Sequence, residues 1–129
     1  LFHYTVETNK SMEEAVESLE ASLKYEQFGV LWQFDIKSKL QEKGLDFHQP
    51  YLVLEVCNPK EAQRVLTQNQ MVGYFLPCKI VVYEDQDEGK VKIGLPRPTA
   101  LIEMVNDNSL KEFAAGIEKR LINCIDKSV

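Results

Sequence analysis

Apolar and polar positions alternate with two different periods along this chain, and the switches between them mark its elements. Phe2, Tyr4 and Val6 alternate with His3, Thr5 and Glu7, the pattern of a strand with one buried face. Ser11 and Glu14 form an S-x-x-E capping box. Met12, Ala15, Val16, Leu19 and Leu23 follow at three- and four-residue steps, predicting an amphipathic helix that ends near Gly29. Val30, Trp32 and Phe34 alternate with Leu31, Gln33 and Asp35, which predicts a second strand with those three residues on one face, stopping at Asp35. Asp35 then caps a short helix with Ile36 and Leu40 inward, ended by Gly44.

After the break at Gln49-Pro50, Tyr51 to Val56 reads as a central strand whose one charge is Glu55. Asn58, Pro59 and Glu61 start a helix with cap and first-position proline, and Ala62, Val65 and Leu66 are its buried stripe. Met71 to Leu76 is apolar but carries Gly73 and ends at Pro77, so it reads as a connection packed under the sheet. Cys78 to Glu84 and Lys90 to Leu95 are two further strands, joined by the polar turn Glu84-Asp85-Gln86-Asp87-Glu88-Gly89. Pro96 and Pro98 end the sheet, and Leu101, Ile102, Met104 and Val105 fit one or two helical turns. Ser109 and Glu112 supply a second capping box before the stripe Leu110, Phe113, Ala114, Ile117, Leu121 and Ile125, within which Gly116 suggests close packing on a neighbour.

Hairpin connections favour an antiparallel sheet, and helices that alternate with its strands must cover one face. The expected architecture is α+β and two-layered, a single domain over residues 1–129 with the first and last long helices as the main roof.

Composition narrows the function classes. At 129 residues with 44% hydrophobic side chains the chain can bury a core without metal or disulfide staples. Fifteen basic against twenty acidic residues give a charge of -5, and Lys37 with Lys39, or Lys90 with Lys92, are isolated among acids, so no nucleic-acid partner is expected. No apolar run approaches the ~20 residues of a membrane span, and no signal-peptide pattern precedes His3, so no membrane partner and a cytoplasmic location are expected. Three cysteines, an odd number, fit a reducing compartment better than a disulfide framework.

Candidate chemistry is sparse. Cys57 closes one strand and Cys78 opens another, so their thiols can approach at one sheet edge. Their spacing matches neither a C-x-x-C pair nor a zinc knuckle, and buried cysteine serves as a small hydrophobe. A zinc site on Cys57 and Cys78 would need two further ligands, which only His3, His48 and nearby carboxylates such as Glu55 could supply; otherwise no cofactor is expected. Cys124 sits by the last apolar stripe and reads as packing. Neither a G-x-S-x-G elbow nor a Gly-rich phosphate loop is present. Asp35 and Glu55 are the available carboxylates for acid–base work, but Asp35 is explained as a helix cap, which leaves Glu55 alone.

Glu55-Val56-Cys57-Asn58-Pro59-Lys60-Glu61-Ala62, followed by Gly73-Tyr74-Phe75-Leu76-Pro77-Cys78 and Val81-Val82-Tyr83-Glu84, resembles the domain of unknown function 302 family over nearly the whole chain. The resemblance implies a β-α-β4-α core like that of the TATA-box-binding-protein fold, with short helices inserted, and implies no activity. It marks Asp35, Cys57, Asn58, Pro59, Pro77 and Cys78 as the region to watch. Likeness of fold to a DNA-binding protein carries no function with it.

Residues alone name no activity. The leading expectation is a binding or interaction module, with a homodimer or a small ligand as partner, since Trp32, Phe34, Tyr51 and Tyr74 can leave an apolar patch or cavity uncovered. The alternative is a metal or thiol-redox site on Cys57 and Cys78. An enzyme has only Glu55 behind it.

Overall fold

A computed structural model describes residues 1–129. Five strands, β1 (His3–Thr8), β2 (Gly29–Asp35), β3 (Tyr51–Cys57), β4 (Cys78–Glu84) and β5 (Val91–Pro96), form one antiparallel sheet in the order β1-β5-β4-β3-β2. The helices are α1 (Met12–Tyr25), α2 (Ile36–Glu42), α3 (Pro59–Gln68), α4 (Pro98–Ile102) and α5 (Lys111–Lys127), with 3-10 segments at Gln70–Phe75, Glu103–Val105 and Asn108–Leu110. The two-layer α+β arrangement expected from the hairpins is the one observed, and β3 lies inside the sheet as expected.

Local rules account for most boundaries. Both halves of the capping box at Ser11 and Glu14 are made, and α1 ends at Tyr25 rather than near Gly29. The chain reverses through Gln27 in the left-handed region (φ 66°), leaving Gly29 to start β2. Asp35 Oδ1 accepts from the Ser38 N–H at 3.0 Å, as a cap for α2 should. The second capping box does not form. Asp107 takes the Ser109 N–H and hydroxyl, at 3.0 and 2.6 Å, so α5 begins at Lys111 without a side-chain cap. Gly116 faces open space instead of a packed neighbour. The glycine that does permit close approach is Gly94, where a Cβ would sit 2.7 Å from Thr5 Oγ1 on β1.

β2 departs from simple alternation. Val30 pairs with Val56, but the next registered pair is Trp32 with Glu55, so Leu31 is an extra residue in a bulge. A bulge shifts the side-chain phase by one residue. Val30 therefore joins the covered face, while Trp32 and Phe34 turn to the opposite one.

The covered face carries the core. Leu54, Val56, Ile80, Val82 and Ile93 from the strands meet Ala15, Leu19 and Leu23 of α1 and Leu121 and Ile125 of α5, all fully buried. Burying each such Leu or Ile contributes roughly 1.5–3 kcal/mol. A second apolar cluster, Val65, Val72, Ile102, Leu110 and Ala114, lies among α3, the two longer connections and the start of α5. The Gln70–Phe75 segment belongs to that cluster, not beneath the sheet, because its Val72 is sequestered by helices. No helix is long and apolar enough to cross a membrane.

Candidate functional site

β3 ends at Cys57 and β4 begins at Cys78, and the pairing of Val56 with Cys78 brings the Cys-Asn-Pro and Leu-Pro-Cys segments to one end of the sheet. There the strand ends, α3, the Gln70–Phe75 segment, α4 and the first half of α5 fail to close on one another. Between them lies a half-open cavity of about 530 Å³, with eighteen hydrophobic residues among its twenty-five lining residues. Val56 and Leu95 line it from the sheet, Val65 from α3, Ile102 from α4, and Ala114 and Ile117 from α5. Tyr74, 82% exposed, stands at its mouth.

Few polar groups reach this space. Asn58, only 7% exposed, lines it and caps α3: its Oδ1 accepts from the Glu61 N–H at 3.2 Å. The cap fixes which end of the amide is oxygen, and so places Nδ2 on the other side. That nitrogen donates to no protein atom. No fully enclosed side-chain nitrogen or oxygen in the structure lacks a partner, so Nδ2 retains open space beside it. Glu61 is paired with Arg64 at 2.9 Å, and the same guanidinium lies 5.1 Å from the centre of the Phe113 ring. Glu55 and Lys79 face each other across β3 and β4 and border the space where the strands end, with their register turning both side chains to the uncovered face of the sheet.

Cys57 and Cys78 both line the cavity. Burial, and secondarily the charge Cys57 would carry beside it, push the Cys78 thiol up to about 11. At neutral pH Cys78 is therefore a protonated, weakly nucleophilic thiol. No three His, Cys, Asp or Glu side chains converge anywhere in the molecule. The two thiols are thus two donors short of a structural zinc set, and the residues present do not fit that ion. Cys124, on the far side of the core, is buried, and its Sγ–H donates to the Ser22 carbonyl at 3.5 Å. Burial, with Glu26 nearby, raises its pKa.

Of the other residues singled out by sequence, Glu55 and Pro77 line the cavity. Pro59 opens α3 but points to solvent. Asp35 pairs with Leu52, near the opposite end of β3, and serves α2. His48 precedes that same end, with its side chain 77% exposed and in contact with Asp46. Five residue steps of strand at about 3.3 Å each separate Leu52 from Cys57, which puts Asp35 on the order of 17 Å from Cys57, and His48 lies beyond that far end of β3. Asp35 and Glu55 consequently form no carboxylate pair, and His48 does not reach the thiols. The cavity walls at Leu110 and Ala114 were legible only as a packing stripe, and Val72 only as part of an apolar connection.

A family model described as "Domain of unknown function DUF302" matches residues 4–128. The chain belongs to the DUF302 family. A crystal structure of an uncharacterized conserved DUF302 protein from Bacillus stearothermophilus is 60% identical to it, with 100% of this chain and 99% of that chain covered and a TM-score of 0.96. Among curated proteins none matches the chain. Membership of DUF302 thus brings a fold and no assigned activity, and the site has to be judged by its own chemistry.

Proposed function

We propose that this DUF302 protein is a binding module whose cavity holds a small, mostly apolar molecule. The observation that carries this is the cavity's size and lining: about 530 Å³, walled mainly by hydrophobic side chains, with an Asn amide nitrogen left free. Ligand pockets typically span ~300–1,000 Å³ and combine apolar walls with a few placed polar groups. Cys57 and Cys78 act in this reading as small apolar wall residues, which suits a protonated Cys78.

Titration with an apolar fluorescent probe tests it. Saturable one-to-one binding is expected, and at a hundredfold excess of probe over its dissociation constant the folded state gains about 2.7 kcal/mol. Ala62→Leu, which fills the cavity from α3, is expected to cut probe affinity at least tenfold. Equal affinity in both proteins would sink the proposal.

A second reading rests on the uncovered sheet face. Trp32, 55% exposed, stacks on Phe34 with ring centres 5.2 Å apart, and Tyr51 lies 5.2 Å from Tyr83 across β3 and β4. Glu55 and Lys79 sit beside this strip with opposite charges, so a two-fold axis can set the Glu55 of one copy against the Lys79 of another. A homodimer through this face predicts a concentration-dependent sedimentation coefficient that Trp32→Thr abolishes; a monomer at high concentration rejects it.

A further inference from the structure

We infer that the molecule held in the cavity presents an uncharged hydrogen-bond acceptor, the carbonyl of an ester, ketone or amide, to Asn58 Nδ2, with its apolar body among Val65, Ile102 and Ile117. This rests on the binding reading above and adds the polarity of the head group.

The starting point is the divided duty of Asn58. Its oxygen is committed to the Glu61 N–H as the cap of α3. Its nitrogen has no partner in the protein and is not fully enclosed, on a residue that is more than nine-tenths buried and lines the cavity. Water reaches this N–H while the cavity is empty, but a ligand that fills the space and brings no acceptor would strand it at a cost of about 1–3 kcal/mol. A ligand that carries an acceptor avoids that cost, so the site selects for one.

Charge decides the kind of acceptor. Glu61 is offset by Arg64, and the register turns the Glu55 and Lys79 side chains to the uncovered face of the sheet, so the polar end of the cavity has no excess of positive charge. A carboxylate would leave water for one N–H bond and the partial charge of the α3 N-terminus, which favours an anion by only about 0.3–1 kcal/mol, and stripping an ion of water is far costlier than stripping a carbonyl. An ammonium group would face the Asn58 donor and the positive end of the α3 dipole. A neutral carbonyl turns the negative end of its dipole to both. By proportion to a cavity of ~150 Å³ that admits benzene, the space takes a molecule of up to roughly twenty non-hydrogen atoms.

The test compares methyl octanoate, octanoate and octylamine as competitors of the apolar probe, on the full chain and on Asn58→Asp. Aspartate keeps the cap, since its oxygen also accepts the Glu61 N–H, but it removes the amide donor. In the wild-type chain the ester is expected to compete best. In Asn58→Asp the ester should weaken about tenfold, consistent with one lost hydrogen bond, octylamine should gain, and probe affinity should stay within about twofold. Probe binding with no preference for the ester in the wild-type chain, or an ester affinity unchanged by Asn58→Asp, overturns the head-group assignment and leaves the cavity reading standing. Failure of probe and all three competitors to bind the wild-type chain overturns both. The wild-type ranking decides the question even if Asn58→Asp folds poorly.

Discussion

The two apolar clusters of this protein are built from the same residue types and end up differently packed. The larger, sixteen buried residues, is packed between the sheet and the long helices α1 and α5 and meets the cavity only along one border, at Phe28, Val56, Leu95, Ile117 and Leu121. The smaller, five residues, is assembled from the ten-residue α3, a six-residue 3-10 segment, the five-residue α4 and one end of α5. Long elements present whole stripes that interdigitate along their length. Short ones meet at their ends and leave the cavity between them. Stability is therefore concentrated in one region and free space for a ligand in the other.

The largest test of that contrast is a pair of truncations. Leu19→Ala removes a fully buried side chain from the closed cluster, away from the cavity, and should cost about 3–4 kcal/mol in urea unfolding, whereas Ile102→Ala, beside existing space, should cost about 2 kcal/mol or less. Equal losses would break the distinction. Next comes pH. The folded Cys78 thiol titrates at about 11 against a reference of 9.0, so the native state holds its proton more tightly than the unfolded chain. Stability from this group is complete below about pH 9 and falls as pH rises towards 11, by about 2 kcal/mol. Urea midpoints measured against Cys78→Ala isolate the effect, since the variant lacks this part of the decline. Smallest is Ala62→Leu, which fills space in the open region and should raise stability by roughly 1 kcal/mol. A loss instead would mean the walls are already in contact there.

How much of this was readable beforehand follows the range of the interactions concerned. The caps at Ser11, Asp35 and Asn58 were legible because donor and acceptor lie within three residues of each other. The cap assigned to Ser109 failed because Asp107, two residues earlier, competes for the same N–H. Cys57, Asn58, Pro77 and Cys78 were read as one neighbourhood and do line one cavity, since strand pairing joins their segments. Asp35 and His48 were placed with them, and the structure sets them at the other end of β3. Position along a paired strand cannot be had from residue type.

Sequence by itself determined the kinds and order of the main elements, the caps at Ser11, Asp35 and Asn58 and the family to which the chain belongs, because periodicity and capping are encoded among near neighbours. Only the tertiary structure decided that Leu31 bulges and turns Trp32 and Phe34 away from the helices, and that the short elements beside Asn58 leave a cavity with its amide nitrogen unspent. Those outcomes depend on how surfaces far apart in the chain fit when they meet, and no local pattern records the mismatch.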